Sequence, residues 1–391
     1  MELGPNALVD VWDFPTGRGF RALGPIKKGD IYLKVPFTTC WSVARAKDAY
    51  KELQQLSGEG KTLASLNEDL MALHLLLERS KGDAGWNAAH IQSLPRTFDM
   101  LPHWSEAELQ ELEEPDLQNT ARRLKAQVQG DFSALMGAAE TCGCLSLLQD
   151  SGIDFDAYLW AKSVLWSRCV DFSRDLLADA GLPLPEGDHC RLLVPGFDMA
   201  NHDPRLAGTG RTHTILEDGH VALIASVDYD KGDEVCIFYE RAENHRLLLW
   251  YGFVLEDNPF DSAQLRLPVD PKASIRLEKL GATMETTQGQ VFAICPMTLS
   301  NPLPEVAILA AALCQSLLPP DSDDELSARQ ELQALRLLQR SMPKAISPGP
   351  LPKVDEWRRY CAAVLRTFGP RLQVSFHQAV EAKMISALSA A

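Results

Sequence analysis

Three short stretches of this chain gather the side chains that chemistry needs. The densest is Pro195-Gly196-Phe197-Asp198-Met199-Ala200-Asn201-His202-Asp203, which follows a short apolar run. Polar groups packed at a strand end often form a site. Two readings are open there. Asp198, His202 and Asp203 have the chemistry of metal ligands, although no second ligand-rich segment of fixed spacing accompanies them. Alternatively the stretch is an Asx-turn beside a buried, hydrogen-bonded histidine. The second stretch is Lys231-Gly232-Asp233-Glu234-Val235-Cys236-Ile237-Phe238-Tyr239-Glu240, a turn and then a strand that delivers Tyr239 at its end. A tyrosine in that place is commonly a packing residue. The third is Gly17-Arg18-Gly19. A dinucleotide loop would need a strand, this loop and then a helix. Here the next element, Asp30–Val35, alternates like a strand, so a Rossmann reading is disfavoured. There is no G-x-S-x-G elbow and no Walker A loop, and His189-Cys190 lies in a polar stretch without a catalytic setting.

Composition narrows the classes further. Of 391 residues 46% are apolar, enough for a real core, and length alone predicts two to three domains. Lys and Arg total 38 against 53 Asp and Glu, a net charge of −15. That disfavours unspecific binding to nucleic acid or anionic membrane and favours a basic partner. The longest clean apolar run, Val306–Cys314, is far short of the roughly 20 residues that span a bilayer. The opening Met1-Glu2-Leu3-Gly4-Pro5 has neither the basic nor the apolar part of a signal peptide. A soluble intracellular protein is expected, in cytoplasm or nucleus, or in a plastid if a transit peptide has been removed. The nine cysteines are scattered, Cys142-Gly143-Cys144 being the one close pair, and show no zinc-type spacing. They read as reduced thiols, and no metal is expected.

These stretches must be positioned by the elements around them. Residues 1–40 read as β: Ala7–Trp12 alternates, Pro15–Gly19 is turn chemistry, and Asp30–Val35 alternates again. From about Ala44 to Ser167 the period is helical, with Leu70, Leu73, His74 and Leu77 on one face, and Phe155, Leu159, Lys162 and Leu165 on another. Ser105–Asn119 carries six acidic residues and no basic one, the pattern of a solvated acidic helix. Strand chemistry returns at Arg191–Pro195. A hairpin is predicted over Arg211–Val227 about Glu217-Asp218-Gly219, and a strand over Gly232–Tyr239. A helix follows from Ala242 to Tyr251, closed by Gly252. After a short β-like patch at Gln264–Val269 the tail is helical: Glu305–Leu318, Asp324–Arg340 and Val354–Phe368, with a proline-rich linker at Pro343–Pro352. Neither β-rich piece has enough strands to stand alone, so the two must meet across more than 100 residues of helix.

In this order the stretches resemble one family. Gly17-Arg18-Gly19-Phe20-Arg21-Ala22 with Ile26-Lys27-Lys28-Gly29-Asp30 is similar to the opening of a SET domain. Phe197-Asp198-Met199-Ala200-Asn201-His202 resembles its Asn-His motif, and Gly232–Tyr239 its catalytic-tyrosine motif. Asn244 followed by Tyr251-Gly252-Phe253 resembles the segment after it in the branch of the plant Rubisco large-subunit lysine methyltransferase and the animal actin-histidine methyltransferase. The resemblance implies an α+β fold: a β-rich SET domain split over 1–45 and 160–262, a helical insert over 46–159, and an all-helical substrate-binding domain over 263–391. It implies S-adenosylmethionine as cofactor, and a monomer acting on a lysine of a non-histone protein that presents a basic segment. Tyr239 would be catalytic. Arg18, Gly19, Phe20, Arg168, Asn201, His202, Tyr251 and Phe253 would hold the cofactor, Arg168 by its carboxylate. Val170 and Tyr251 would line the substrate channel. Two positions depart from the family: Glu243 precedes Asn244 where Ser is frequent, and Val170 stands where relatives carry Phe or, in the histidine enzyme, Asn. An interaction protein on a SET fold that has lost catalysis is the other class of reading. Retention of Tyr239, Asn201 and His202 favours the enzyme.

Overall fold

The computed structural model describes residues 7–14, 17–56, 63–112, 114–185, 188–320, 324–341 and 357–390. The chain divides into two compact units. The first is drawn from Met1–His103, Asn119–Arg241 and Leu249–Gly252, the second from Trp104–Gln118, Ala242–Leu248 and Phe253–Ala391.

In the first unit the strands are β1 (Val9–Phe14), β2 (Gly17–Ala22), β3 (Ile31–Pro36), β4 (Cys169–Ser173), β5 (His189–Leu193), β6 (His213–Ile215), β7 (His220–Ile224) and β8 (Glu234–Val235). The two β-rich pieces meet as expected, in three small sheets ordered β1-β2-β8, β3-β7-β6 and β4-β5. Phe20 pairs with Val235 and Val35 with Val221. Isolated bridges add Ile26 to Tyr229 and Trp41 to Leu193. Apolar side chains from both pieces, among them Phe20, Ile26, Val194, Phe197, Val221 and Val235, fill one core, which offsets the cost of closing so long a loop. Two expectations are corrected. Gly17 to Gly19 lie in β2 rather than in a turn, pairing with Phe14 to Trp12. The strand expected over Gly232–Tyr239 shrinks to two residues, because from Cys236 onward the backbone turns to a different partner.

The helical stretch carries a second core. Ser42 caps Val43–Ala49 and Asp154 caps Phe155–Arg168, each accepting a hydrogen bond from a first-turn backbone N–H. The helix Leu63–Ser80 is buried at every residue from Asp69 to Glu78, not on one face alone. A helix enclosed in this way must satisfy its polar groups internally. Asp69 accepts from the Tyr158 hydroxyl (2.5 Å) and lies 3.3 Å from the Lys162 ammonium, which also reaches Glu68 at 3.0 Å.

The second unit is mainly helical, with Glu305–Cys314, Ala328–Ser341 and Trp357–Ala390, but it opens with a sheet that the expectation of an all-helical tail lacked. β9 (Ser262–Pro268), β10 (Thr283–Thr287) and β11 (Gln290–Thr298) pair in the order β10-β11-β9. The β-like patch at Gln264–Val269 is one strand of the three. Alternation marks β11: Ala293, Cys295 and Met297 are buried while their neighbours are less so. The last helix runs through Pro370, beyond the end expected at Phe368. Leu372, Phe376 and Val380 are buried beyond it, and their apolar contacts outweigh the one backbone bond that proline removes. The linker expected at Pro343–Pro352 lies outside the described residues. The acidic segment is not simply solvated: Glu108 meets Arg358 at 3.0 Å, Glu111 meets Arg359 at 3.3 Å and Glu114 meets His245 at 2.7 Å. Asn244 is enclosed too. Its backbone N–H and Nδ2 both donate to Asp261, whose carboxyl burial pushes up to about 6. Glu243 accepts from the Ser262 hydroxyl at 2.5 Å. No helix among the described residues is long and apolar enough to cross a membrane.

The helix Asn244–Trp250 ends just before Gly252, as expected. Gly252 has φ +81°, and a Cβ there would lie 3.0 Å from the Met100 nitrogen and 3.1 Å from the Asp99 carbonyl carbon. Positive φ and backbone crowding together exclude a side chain. Gly252→Ala is therefore expected to cost more than about 1 kcal/mol. A urea melt that overlays the parent would contradict it.

Candidate active site

The site forms where the two motif segments exchange backbone bonds. Ile237 N–H donates to Asn201 O (2.9 Å), and Asp203 N–H donates to Ile237 O (3.0 Å). Tyr239 N–H continues the pattern onto a side chain, donating to His202 Nδ1 at 3.1 Å. The Tyr239 hydroxyl donates to Ala200 O at 2.8 Å. The Tyr239 ring lies 5.1 Å from the His202 ring and 5.2 Å from the Tyr251 ring. Tyr251 donates its own hydroxyl to Glu240 at 3.0 Å.

These bonds fix protonation. His202 Nδ1 must carry a lone pair to accept from a backbone N–H. Burial lowers the His202 pKa to about 4, so the ring is neutral near pH 7. Burial also raises the Tyr239 phenol well above its ordinary value of 10.0, which keeps its proton in place. Tyr239 is therefore a neutral dipole and not a base.

β2 supplies the adjoining wall. Asn201 Nδ2 donates to Glu234 Oε1 (2.7 Å) and to Arg18 O (3.2 Å). A Cβ on Gly19 would lie 2.7 Å from that Glu234 oxygen and 2.8 Å from Asn201 Nδ2, so a side chain there would displace the pair. The Arg18 side chain turns away to the Ser93 carbonyl (2.6 Å). Phe20 is fully buried core. Arg168 ends the helix Phe155–Arg168. Its Nε is 3.9 Å from Asp198 Oδ2, its NH1 group donates to Ser167 Oγ (2.6 Å), and its guanidinium lies 5.3 Å from the Phe98 ring centre. Val170 follows on β4 opposite Leu192, partly buried against the core. Phe253 belongs to the second unit and is half-buried.

The two readings of the Pro195–Asp203 stretch now separate. Asp198 faces Arg168 and His90, His202 accepts from Tyr239, and Asp203 pairs with Arg205 at 2.7 Å. The three groups turn to different partners, and no group of three or more His, Cys, Asp or Glu among the described residues is arranged to hold a metal ion. Asp203 also accepts from Arg205 N–H at the start of a short 3-10 turn, the Asx geometry expected of the stretch.

No family model matches the chain. Over 257 residues it is 28% identical to the actin-histidine N-methyltransferase of Danio rerio, a match covering 65% of this chain and 40% of that protein. The protein of the same name from Xenopus tropicalis is 28% identical over 267 residues, covering 66% and 42%. The aligned part thus spans well under half of these relatives. Among solved structures, the SET domain of LSMT bound to lysine and AdoHcy superposes with a TM-score of 0.63 at 20% identity, covering 99% of this chain and 90% of that one. Rubisco LSMT bound to AdoMet gives 0.58 at 20% identity, with the same coverage. This chain has the SET fold of those structures.

Within the SET fold, one contributor to the site was not singled out by sequence and another has a different role from the one considered. Glu234 appeared only as a letter of the tyrosine motif, yet it holds the Asn201 side chain. Its signal is register: placing β8 against β2 sets Glu234 opposite Arg21, beside Gly19. Asp198 was considered as a metal ligand and instead faces Arg168. His202 yields a pH prediction. Its folded pKa lies below the unfolded value of about 6.5, so the unfolded chain takes the proton first. The stability that the neutral ring contributes is complete above about pH 6.5 and is lost as pH falls towards 4. Histidine nitrogen chemical shifts should show His202 neutral from pH 8 down to pH 5. A midpoint near 6.5 would contradict the burial argument.

Proposed function

We propose that the protein is an S-adenosylmethionine-dependent protein methyltransferase of the SET class whose acceptor is a lysine side chain of a non-histone protein. The observation that carries this reading is the convergence of Tyr239, Asn201 and His202 beside Gly19, where a side chain would displace Asn201 and Glu234. The residues fit the cofactor. Arg168 Nε and Asp198 Oδ2 are buried atoms without hydrogen bonds, and the Arg168 side chain remains 21% exposed, so a cation is presented to a carboxylate. Asn201, neutral His202, the Arg18–Phe20 backbone and Tyr251 would hold the remainder. Phe253 is assigned to the cofactor only by the family resemblance. The solved neighbours bound to AdoMet and AdoHcy support the assignment. By the same resemblance the SET part is split over 1–45 and 160–262 around the insert, and the region after 263 binds the protein substrate.

S-adenosylmethionine, when bound, supplies a methyl group on a sulfonium centre. The chain's own groups align and exclude water, which is most of the catalysis such a displacement needs. Tyr239 is held by its hydroxyl on Ala200 O and by its N–H on His202, and would present a fixed neutral dipole to the transferred group. Because its phenol stays protonated it cannot deprotonate an ammonium, so the acceptor must arrive neutral. Val170 offers an apolar wall, which suits a neutral amine. An imidazole acceptor needs a polar partner to fix its orientation. The actin-histidine relatives favour a histidine acceptor as the second reading.

Transfer of labelled methyl from S-adenosylmethionine into a lysate of the source organism, followed by amino-acid analysis, tests the reading. Methyl-lysine is the expected product, at a rate that rises from pH 7 to 9 as more amine is deprotonated. Methylhistidine as the main product would replace lysine by the second reading. Tyr239→Phe should keep cofactor affinity within a few fold and lower turnover by about 10²-fold, the scale of one aligned polar group. If the parent protein shows no thermal shift with S-adenosylmethionine, the chain is an interaction scaffold instead.

A further inference from the structure

We propose that Trp41, His90 and Asp198 form a buried relay that positions the Arg168 guanidinium for an amino-acid carboxylate, an inference that rests on the cofactor reading above.

Trp41 follows β3, is 2% exposed, and is held to Leu193 by backbone bonds in both directions. Its indole nitrogen, which can only donate, donates to His90 Nδ1 at 2.9 Å. That bond leaves Nδ1 without a proton, so the neutral ring carries its proton on Nε2. Nε2 faces Asp198 Oδ1 at 3.4 Å, an electrostatic contact without hydrogen-bond geometry, and the two side chains are 3% and 0% exposed. Asp198 Oδ1 also accepts from Gly196 N–H at 3.1 Å. The other carboxylate oxygen, Oδ2, points at Arg168 Nε.

A buried carboxylate normally resists ionisation. Here burial pushes the Asp198 carboxyl up, but the His90 N–H, the Arg168 charge and the Gly196 N–H together hold it below its ordinary value. The relay therefore delivers a full negative charge to one edge of the guanidinium. At 3.9 Å that charge attracts Arg168 without engaging Nε in a hydrogen bond. Phe98 lies beside the guanidinium, and Ser167 takes the NH1 group. The Trp41 proton fixes the histidine tautomer through a hydrogen bond, and the His90 Nε2 edge then faces the carboxylate by electrostatic attraction without a hydrogen bond of its own. This makes Trp41 and His90 positioning residues although neither approaches Tyr239 in sequence or by any bond.

The test uses the full chain and two ligands that differ in the amino-acid part: S-adenosylhomocysteine, which carries a carboxylate, and 5′-methylthioadenosine, which has none. Calorimetry should find that Asp198→Asn weakens S-adenosylhomocysteine by about tenfold or more, the scale of a charge-assisted contact, and changes 5′-methylthioadenosine by less than about threefold. Trp41→Phe keeps the ring and removes only the donor, and should move the same ligand in the same direction by a smaller factor. Its KM for S-adenosylmethionine should rise with kcat retained. A cooperative melt screens each variant, and if Asp198→Asn does not fold, Trp41→Phe and His90→Gln carry the comparison. Equal weakening of both ligands, or of neither, overturns the relay and leaves the cofactor reading standing. Failure of the parent protein to bind either ligand overturns that reading and the relay together.

Discussion

The hydrogen bond from Tyr239 N–H to His202 Nδ1 is the constraint on which the site depends. It extends the backbone exchange between Asn201 and Ile237 by one step, from main chain to side chain, and so converts a local pairing into a fixed side-chain geometry. It settles the histidine tautomer, and with it the charge of the pocket. It also sets where the Tyr239 ring begins, so that its hydroxyl reaches Ala200 O and closes the loop on itself. The same segment is tied to β2 through Asn201, Glu234 and Gly19. Residues that lie some 180 to 220 positions apart are held to within single hydrogen bonds, and the pairing of β2 with β8 is what brings them there.

The site is neutral at its centre in a chain of net charge −15. His202 and Tyr239 are both kept uncharged by burial, and the buried ions nearby, Asp198 and Arg168, face each other. Low-dielectric surroundings of this kind favour the neutral form of any titratable group brought into them. The acidic surplus lies elsewhere, part of it in ion pairs such as Glu108 with Arg358. Pairs of that sort are worth about 1 kcal/mol or less each, so the surplus counts more for which partners approach than for fold stability.

Sequence carried much of this, and the exceptions have physical causes. The order of Gly17–Ala22, the Asn-His stretch and the Tyr239 stretch gave the fold, because each is short, local and rich in residues with few alternatives. The strand over Gly232–Tyr239 was over-extended because alternation cannot tell a sheet partner from a loop partner. Burial alternates from Glu234 to Phe238, but Ile237 bridges to His202 rather than to a strand. The tail sheet was under-read because β10, which joins β11 as a hairpin, is largely exposed and polar and carries no apolar alternation. Asp198 could not be assigned by spacing, since its partners Arg168 and His90 come from the helical stretch, and no periodicity links a helix end to a turn 30 residues on. For the same reason, Trp41 and His90 were not singled out.

The helical stretch then has a role that its period alone did not suggest. Arg168 is the last residue of the helix Phe155–Arg168, so its position is only as exact as the register of that helix. The register is fixed a turn and a half upstream, where Lys162 lies between Glu68 and Asp69 and Tyr158 donates to Asp69. A buried ion network of this kind is a poor source of net stability, because desolvation offsets most of its attraction. Its geometry is specific, however: sliding the helix by one residue would strand Lys162 among leucines and leave Asp69 without a cation. The cation at the helix end is also favoured by the partial negative charge of the last carbonyl groups. The ion network holds the helix from one side and the Asp198 relay draws Arg168 from the other. The guanidinium is therefore placed by two independent constraints, as it must be if it is to stand ready before any ligand arrives.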